Sequence, residues 1–133
     1  TLRPMGPLDT PEEADGPALE TLFLQELIAL NSYLDLGYSI YYWRTSNDDE
    51  VDFVLYGPKG VKAFEVKRTA RFNESMLKGL SAFLKDYPMT QAYLVYGGER
   101  YFNENGIEIL PLSQALKRLP EILASTKSST LRP

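Results

Sequence analysis

The chain has 133 residues, of which 44% are hydrophobic and 24% are charged, and this is enough for one domain with its own hydrophobic core. It contains no cysteine and no histidine, which excludes disulfide bonds, zinc–thiolate sites and catalysis by serine–histidine or cysteine–histidine pairs. No apolar run reaches 18 residues and no signal-peptide pattern occurs, so we expect no membrane association.

Charge is distributed unevenly along the chain, whose formal net charge is −4. Positions 1–52 contain two basic and eleven acidic residues, whereas positions 53–133 contain twelve basic and seven acidic residues. Six of the basic residues cluster in the sequence: Lys59, Lys62, Lys67, Arg68, Arg71 and Lys78. This cluster predicts a patch that faces the phosphates of nucleic acid. A solvated surface of mixed charge is the alternative, and the net acidity opposes strong nonspecific binding.

The two ends of the chain differ in composition from its middle. Residues 1–16 are rich in proline, glycine and acidic residues, as is typical of a linker or an N-terminal extension. Residues 124–133 predict a flexible polar tail. Because the first residue is Thr1 and not methionine, we expect the chain to be part of a longer protein. The domain itself is predicted to span residues 17–123.

A first helix is predicted from Pro17 to about Asp35, with Asp15 as its N-cap. Its apolar stripe consists of Leu19, Leu22, Phe23, Leu27, Leu30 and Leu34. At the helical angle of about 100° per residue, Glu26 lies about 40° from the centre of this stripe and Glu20 nearly 80° away. Glu26 is therefore the better candidate for an acidic site residue carried by the helix. A salt bridge or a position at the edge of the helix is the alternative explanation.

The run 38–45 is rich in β-formers and predicts a strand. Together with the hairpin that follows, it predicts a three-stranded antiparallel meander. For its aromatic residues, Tyr41, Tyr42 and Trp43, we expect packing in the core or at an interface. Stacking on nucleotide bases is the alternative.

The hairpin is predicted from two apolar-rich runs, 50–56 and 61–68, which flank a Gly-Pro-Lys-Gly turn. Pro58 cannot adopt the positive φ that a two-residue hairpin loop requires. We therefore expect a four-residue loop around a type I turn, with Tyr56 opposite Val61.

This register places Asp52 opposite Glu65 and puts Lys67 on the same sheet face. The other face of the hairpin carries Val51, Phe53, Leu55, Phe64 and Val66 and predicts a core. Two carboxylates at cross-strand distance repel each other unless something lies between them. Because hard divalent cations such as Mg²⁺ bind carboxylate oxygens, we predict a metal site between Asp52 and Glu65. A bridge from Lys67 to both carboxylates without metal is the alternative.

The second half of the chain predicts two helices and two strands. Asn73 can cap a helix over residues 74–86, and the near-continuous apolar run 91–96 is typical of a strand buried on both faces and parallel to its neighbour. Residues 106–110 predict a last strand and residues 111–123 a final amphipathic helix. The predicted order is α-β-β-β-α-β-β-α, an α/β fold with a mixed central sheet flanked by helices.

Several segments together resemble a known family. Asp52, twelve intervening residues and then Glu65-Val66-Lys67 resemble the motif of the PD-(D/E)xK nuclease superfamily, with Val51 in place of the leading proline. The succession ALETLFLQEL, YYWRT, EVDFVLYG, AFEVKRT, LKGLSAFLKDYP, AYLVYGG and IEILPL resembles the nuclease-like C-terminal domain of bacterial and archaeal AAA-type ATPases. This resemblance covers roughly residues 17–123.

The resemblance implies a restriction-endonuclease-like core that cleaves nucleic acid with Mg²⁺ or Mn²⁺. The implied catalytic residues are Asp52, Glu65 and Lys67, where the lysine assists the attack on phosphorus. The implied metal ligands are Asp52 and Glu65, with Glu26 and the carbonyl of Val66 as further candidates. The resemblance also implies an ATPase domain of the same or a related chain as a partner, and a prokaryotic, cytoplasmic protein. No phosphate-binding G-x-x-x-x-G-K-[ST] motif occurs, so this chain is not predicted to hydrolyse ATP itself.

A different class of function is also compatible with these segments. The domain could be a catalytically weak or inactive nuclease-like module that binds or regulates the ATPase or a protein partner. Leu24 and Ile28, which lie off the main helix stripe, and the aromatic strand would then form the partner surface.

Overall fold

A computed structural model describes residues 16–126. The helices are α1 (Gly16–Tyr33), α2 (Lys78–Asp86) and α3 (Leu112–Ala124), and a 3₁₀ turn (Glu74–Leu77) leads directly into α2. The strands are β1 (Ser39–Arg44), β2 (Glu50–Gly57), β3 (Gly60–Val66), β4 (Gln91–Tyr96), β5 (Phe102–Glu104) and β6 (Ile107–Pro111). The predicted linker up to the Asp15 cap and the tail beyond Thr126 lie outside the described residues. None of the helices within residues 16–126 has the length and hydrophobicity that crossing a membrane requires.

The strands form a mixed six-stranded sheet in the order β1-β2-β3-β4-β6-β5. The first three strands are an antiparallel meander, and β3, β4 and β6 are parallel to one another. The predicted α/β class, the meander and the parallel position of β4 are therefore confirmed. The predicted order is incomplete, because β5 was not expected. It pairs with β6 through a tight turn at Asn105-Gly106, where both residues have positive φ (54° and 81°), the usual Asn-Gly hairpin geometry.

Hydrophobic side chains form two clusters, one on each face of the sheet. On one face, Phe23 and Leu27 of α1 and Leu119 of α3 pack against Phe53, Leu55, Phe64, Val66, Tyr93 and Val95. On the other face, Leu80 and Phe83 of α2 pack against Val51, Val54, Ala63, Ala92 and Leu94. The helices therefore sandwich the sheet, with α1 and α3 on one face and α2 on the other. The central strands β3 and β4 are buried on both faces, as the apolar run of β4 predicted.

The β2–β3 hairpin has the predicted register, since Tyr56 pairs with Val61. The predicted four-residue loop is wrong, because the ladder continues one step further to Gly57 and Gly60 and only Pro58 and Lys59 lie outside it. Gly60 has a φ of 104°, which glycine adopts without the steric penalty that other residues meet. Gly60 is therefore the residue of this turn with a positive φ. Pro58 is at the first turn position, where the fixed negative φ of proline is suitable.

β2 contains a bulge near its first residues. β1 pairs with β2 through Tyr41 and Val54, but the next pair is Trp43 with Val51, so β2 has one more residue than β1 in this interval. The extra residue interrupts the alternation of side chains. Val51 therefore packs in the cluster under α2, whereas Phe53 packs in the cluster under α1 and α3. The prediction that both share one face is wrong, because strict alternation does not hold through a bulge.

Candidate functional site

Asp52 and Glu65 meet at the open end of the hairpin, beside the bulge in β2. Phe53 and Phe64 form the last β2–β3 pair in this direction. Beyond it, the N–H of Asp52 donates to Oε1 of Glu65 at 3.0 Å, and the N–H of Val66 donates to Oδ2 of Asp52 at 2.8 Å. Two reciprocal side-chain bonds thus take the place of the next ladder bonds. They hold these two residues, named here the carboxylate pair, in fixed positions.

Lys67 lies directly beside this pair. Its Nζ is 3.2 Å from Oε2 of Glu65. The lysine side chain is 39% exposed whereas that of Glu65 is 9% exposed, so the ammonium group lies on the solvent side of the carboxylate. The N–H of Lys67 donates to the carbonyl of Val95 at 2.8 Å, which fixes its backbone to β4. The structure therefore places Asp52, Glu65 and Lys67 in one group.

The helix contributes Glu20 to this region, and not Glu26. Glu20 lines a pocket of about 410 Å³ together with Asp52, whereas Glu26 is exposed and does not line this pocket. The sequence-based preference was reversed because Leu22, counted in the buried stripe, is 44% exposed, while Leu24 is half-buried against the core. Exchanging these two positions rotates the centre of the stripe by about 30° toward Glu20.

Burial and mutual repulsion shift the ionisation of these acids. Burial, and next the negative charge of Asp52, raise the pKa of Glu65 to about 7, although Lys67 opposes the shift. Burial also raises the pKa of Asp52, against the N–H of Val66 and the charge of Lys67. The pKa of Glu20 is raised by burial and by Asp52. Near neutral pH, Glu65 is therefore partly protonated, and a cation that binds its oxygens must displace that proton.

The donor set suits a hard divalent cation, although it is small. Within residues 16–126, no three Asp, Glu, His or Cys side chains are grouped closely enough to enclose a metal ion. The close donors are the carboxylate pair, with Glu20 as the next acid and the backbone of Val66 fixed beside Asp52. Mg²⁺ is often held by one or two carboxylates and completes its shell with water and substrate phosphates. The residues therefore fit such an ion as an open site.

The predicted basic patch is smaller than the sequence suggests, because Lys62 is fully buried. Its Nζ donates to Oε1 of Gln91 at 2.6 Å and to the carbonyl of Ser125 at 2.8 Å. Burial, and next the charge of Lys59, lower the pKa of Lys62 to about 8. Because side chains alternate along a strand, Lys62 lies on the buried face that Leu55 and Phe64 share. This alternation could have excluded Lys62 from a surface patch.

Of the remaining basic residues, Lys59 lies half-buried in the turn between β2 and β3, and the others follow the end of β3. Arg68 and Arg71 are exposed directly after Lys67, and Lys78 forms an ion pair of 3.3 Å with Asp49. Gly97 holds this segment close to β4, because a Cβ at that position would lie 2.4 Å from the carbonyl oxygen of Arg68. The two arginines therefore carry exposed positive charge on the segment that follows Lys67.

Comparison with known proteins identifies relatives for most of the chain. Residues 15–115 match the model of a family described as Domain of unknown function (DUF4143). The uncharacterized protein Mb2031c of Mycobacterium bovis and the uncharacterized protein Rv2008c of Mycobacterium tuberculosis are each 30% identical to this chain over 105 residues. The match covers 79% of this chain and 21% of each relative, so the chain spans about a fifth of the length of these relatives.

Proposed function

We propose that this chain, which belongs to the family described as Domain of unknown function (DUF4143), is a metal-dependent nuclease domain that hydrolyses phosphodiester bonds. One observation carries the proposal. Two largely buried carboxylates lie side by side, with the ammonium group of Lys67 3.2 Å from Glu65. Buried acids with raised pKa values destabilise a fold, and such groups concentrate at functional sites. The mixed sheet between helices also suits the restriction-endonuclease-like core that the D-x₁₂-E-x-K spacing implies.

The carboxylate pair would hold Mg²⁺ or Mn²⁺, with Glu20 as a further acid in the pocket that Asp52 lines. When bound, such an ion polarises phosphoryl oxygens and lowers the pKa of water. Lys67, which is partly exposed beside Glu65, is placed to donate a hydrogen bond to a phosphate oxygen as its negative charge grows. The N–H groups of Asp52 and Val66 keep the two carboxylates oriented before the substrate arrives.

The ionisation of Glu65 gives this activity a pH dependence. The metal-binding form of Glu65 is the carboxylate, and its pKa is raised to about 7. The cleavage rate at low metal concentration should therefore rise as the pH increases toward and through 7, because fewer protons compete with the cation.

A cleavage assay tests the proposal. Single-stranded, duplex and branched DNA and RNA are incubated with the protein in Mg²⁺, in Mn²⁺ and in chelator. We expect metal-dependent cleavage that Glu65→Gln abolishes. Lys67→Ala should lower kcat by roughly a hundredfold, with a smaller effect on KM, because the lysine acts on developing charge. Glu26→Gln, an exposed acid on the same helix as Glu20, is the matched control and should cleave like the wild type. Equal cleavage by the wild type and Glu65→Gln would contradict the proposal.

A binding or regulatory module is the second candidate function. The observation that favours it is the exposure of Tyr41, Tyr42 and Ile28, at 54%, 56% and 51%, on a part of the surface that adjoins the acidic site. We propose an ATPase domain of the same or a related chain as the associated partner, since the mycobacterial relatives extend well beyond the matched segment. A stable complex with an ATPase, combined with no cleavage under any metal condition, would favour this function over the nuclease.

A further inference from the structure

β1 forms one edge of the six-stranded sheet within the described part of the chain. Four of its six residues are exposed. Natural edge strands usually carry charge, proline or a bulge that prevents pairing with another strand. In β1 the charged residue is Arg44 at the very end, and it is bound to Asp48 at 3.0 Å. The middle of the strand, Ile40 to Tyr42, carries no charge and no proline, and the bulge opposite it lies in β2 and not in β1.

The backbone at this edge has its hydrogen-bonding groups open. At the start of the strand, Asn31 of α1 bonds both groups of Tyr38: Nδ2 donates to the carbonyl and Oδ1 accepts from the N–H, each at 2.9 Å. Because these directions alternate along a strand, Ile40 and Tyr42 present their N–H and C=O groups to the same side as Tyr38. Among the backbone bonds that lie outside helices and strands in residues 16–126, none involves Ile40 or Tyr42, and β1 has a strand neighbour on one side, β2. Asn31 thus satisfies the backbone N–H and C=O groups of Tyr38, as a neighbouring strand would satisfy those of Ile40 and Tyr42.

A pocket adjoins β1 on each face of the sheet. On the α1 face, the pocket of about 410 Å³ is lined by Leu24, Ile28 and Ile40 together with Glu20 and Asp52. On the α2 face, a pocket of about 580 Å³ is lined by Val54, Tyr56, Val61, Phe83, Tyr87 and Met89. Tyr41 and Tyr42 border both pockets. A strand added at this edge would send alternate side chains into the two pockets.

The two pockets differ in charge. The α1-face pocket contains the carboxylates of Glu20 and Asp52. Glu50 lies beside them, since it accepts a hydrogen bond from the hydroxyl of Tyr42 and its charge acts on Glu20. The acids on this face repel one another, which is one cause of the raised pKa of Glu20. The α2-face pocket has no charged residue in its lining. An occupant of this edge is therefore complementary when it is basic on one side and apolar on the other.

We propose that the open edge of β1 binds an extended segment of a partner protein in which basic and apolar residues alternate. Its backbone pairs with Ile40 and Tyr42, its basic side chains face Glu20 and Glu50, and its apolar side chains enter the pocket beside Met89. Without a bound metal ion, the acidic lining disfavours the phosphates of nucleic acid at this edge. A second copy of β1 would bring two tyrosines and an arginine that is already bound to Asp48, so it would offer the acids no free cation. This interaction needs neither metal nor cleavage, so it stands independently of the nuclease proposal.

The test uses a fluorescein-labelled peptide of eight residues that alternates arginine and leucine. Its affinity is measured by fluorescence anisotropy, and protection of the Ile40 and Tyr42 amides by NMR-detected hydrogen exchange. A peptide of the same composition, with four leucines followed by four arginines, is the control for charge and hydrophobicity. We expect the alternating peptide to bind at least about tenfold more tightly, because only its pattern matches both pockets. We also expect slower exchange at these two amides.

Matched variants locate the contact. Glu20→Lys should weaken the alternating peptide by about tenfold, whereas Glu26→Lys, an exposed position on the same helix, should change its affinity less than about twofold. Met89→Asp should weaken binding similarly, whereas Leu116→Asp on α3, where the leucine is 41% exposed, should not. Unchanged affinity in Glu20→Lys and Met89→Asp would overturn the proposal.

Three further results would overturn it by pointing to another occupant. Protection of Ile40 and Tyr42 by a twelve-residue oligothymidine, and not by the peptide, would assign the edge to single-stranded nucleic acid. Protection of these amides in a protein that light scattering shows to be a dimer would assign it to a second copy. Protection in the free monomer would assign it to another part of this chain.

Discussion

Replacement of Glu65 by glutamine should remove a pH-dependent loss of stability. In the folded protein the pKa of Glu65 is raised from 4.5 to about 7. Between these values the folded state keeps a proton that the unfolded chain has released, so the free energy of unfolding falls as the pH rises through this window. A difference of about 2.5 units at 1.36 kcal/mol per unit gives a loss of about 3 kcal/mol between pH 4 and pH 8.

Urea unfolding at pH 4 and pH 8 measures this loss. The difference in stability between Glu65→Gln and the wild type should grow by about 3 kcal/mol from the lower to the higher pH, in favour of the variant. Glu26→Gln is the control and should follow the wild type. At pH 8, Mg²⁺ at ten times its dissociation constant should restore about 1.4 kcal/mol to the wild type, and Glu65→Gln should not respond. Parallel pH profiles of the wild type and Glu65→Gln would refute the assignment of a buried, repelled carboxylate.

Two further changes test other parts of the structure. The pKa of Lys62 is lowered from 10.5 to about 8, so between these pH values the unfolded chain keeps a proton that the folded protein releases. The free energy of unfolding should therefore rise by up to about 3 kcal/mol from pH 8 to pH 10.5. Urea titrations should show this rise in the wild type and not in Lys62→Met, and an equal rise in both would contradict the prediction. Gly79→Ala should destabilise the protein by about 3 kcal/mol although alanine favours helices, because its Cβ would lie 1.9 Å from the carbonyl oxygen of Glu50. Thermal unfolding measures this effect, with Ser81→Ala at an exposed position of α2 as the control. A higher Tm for Gly79→Ala than for the wild type would show that α2 does not approach β2 so closely.

Hairpin register was predictable because the turn chemistry was local. The proline at position 58 argued against a two-residue loop, yet the structure has one, because Gly57 pairs with Gly60. The pairing of Tyr56 with Val61 is the same for either loop length. That register was enough to bring Asp52 near Glu65. The bulge in β2 was not predictable, since an extra residue opposite β1 depends on how two strands meet and leaves no local signal. It displaced Val51 to the other core cluster.

The helix-borne acid could not be selected from periodicity alone. Leu22 and Leu24 are equally hydrophobic, and packing against the sheet decides which of them is buried. Counting one of these two leucines in the buried stripe in place of the other was enough to make Glu26, and not Glu20, the predicted site residue. The burial of Lys62, in contrast, could have been predicted from the alternation of side chains along β3. The presence of β5 could have been predicted from the Asn105-Gly106 turn. β5 has only three residues, which are too few for their composition to indicate a strand.

The role of the carboxylate pair is tested most directly by titration of the protein with Mn²⁺ at pH 8, followed by amide NMR spectra. A paramagnetic ion broadens the signals nearest to it. The amides of Asp52 and Val66, which donate to the pair, should broaden first in the wild type and stay sharp in Glu65→Gln. Broadening that begins in the acidic turn at Asp48 and Asp49, or that is unchanged in Glu65→Gln, would contradict a metal site at the pair.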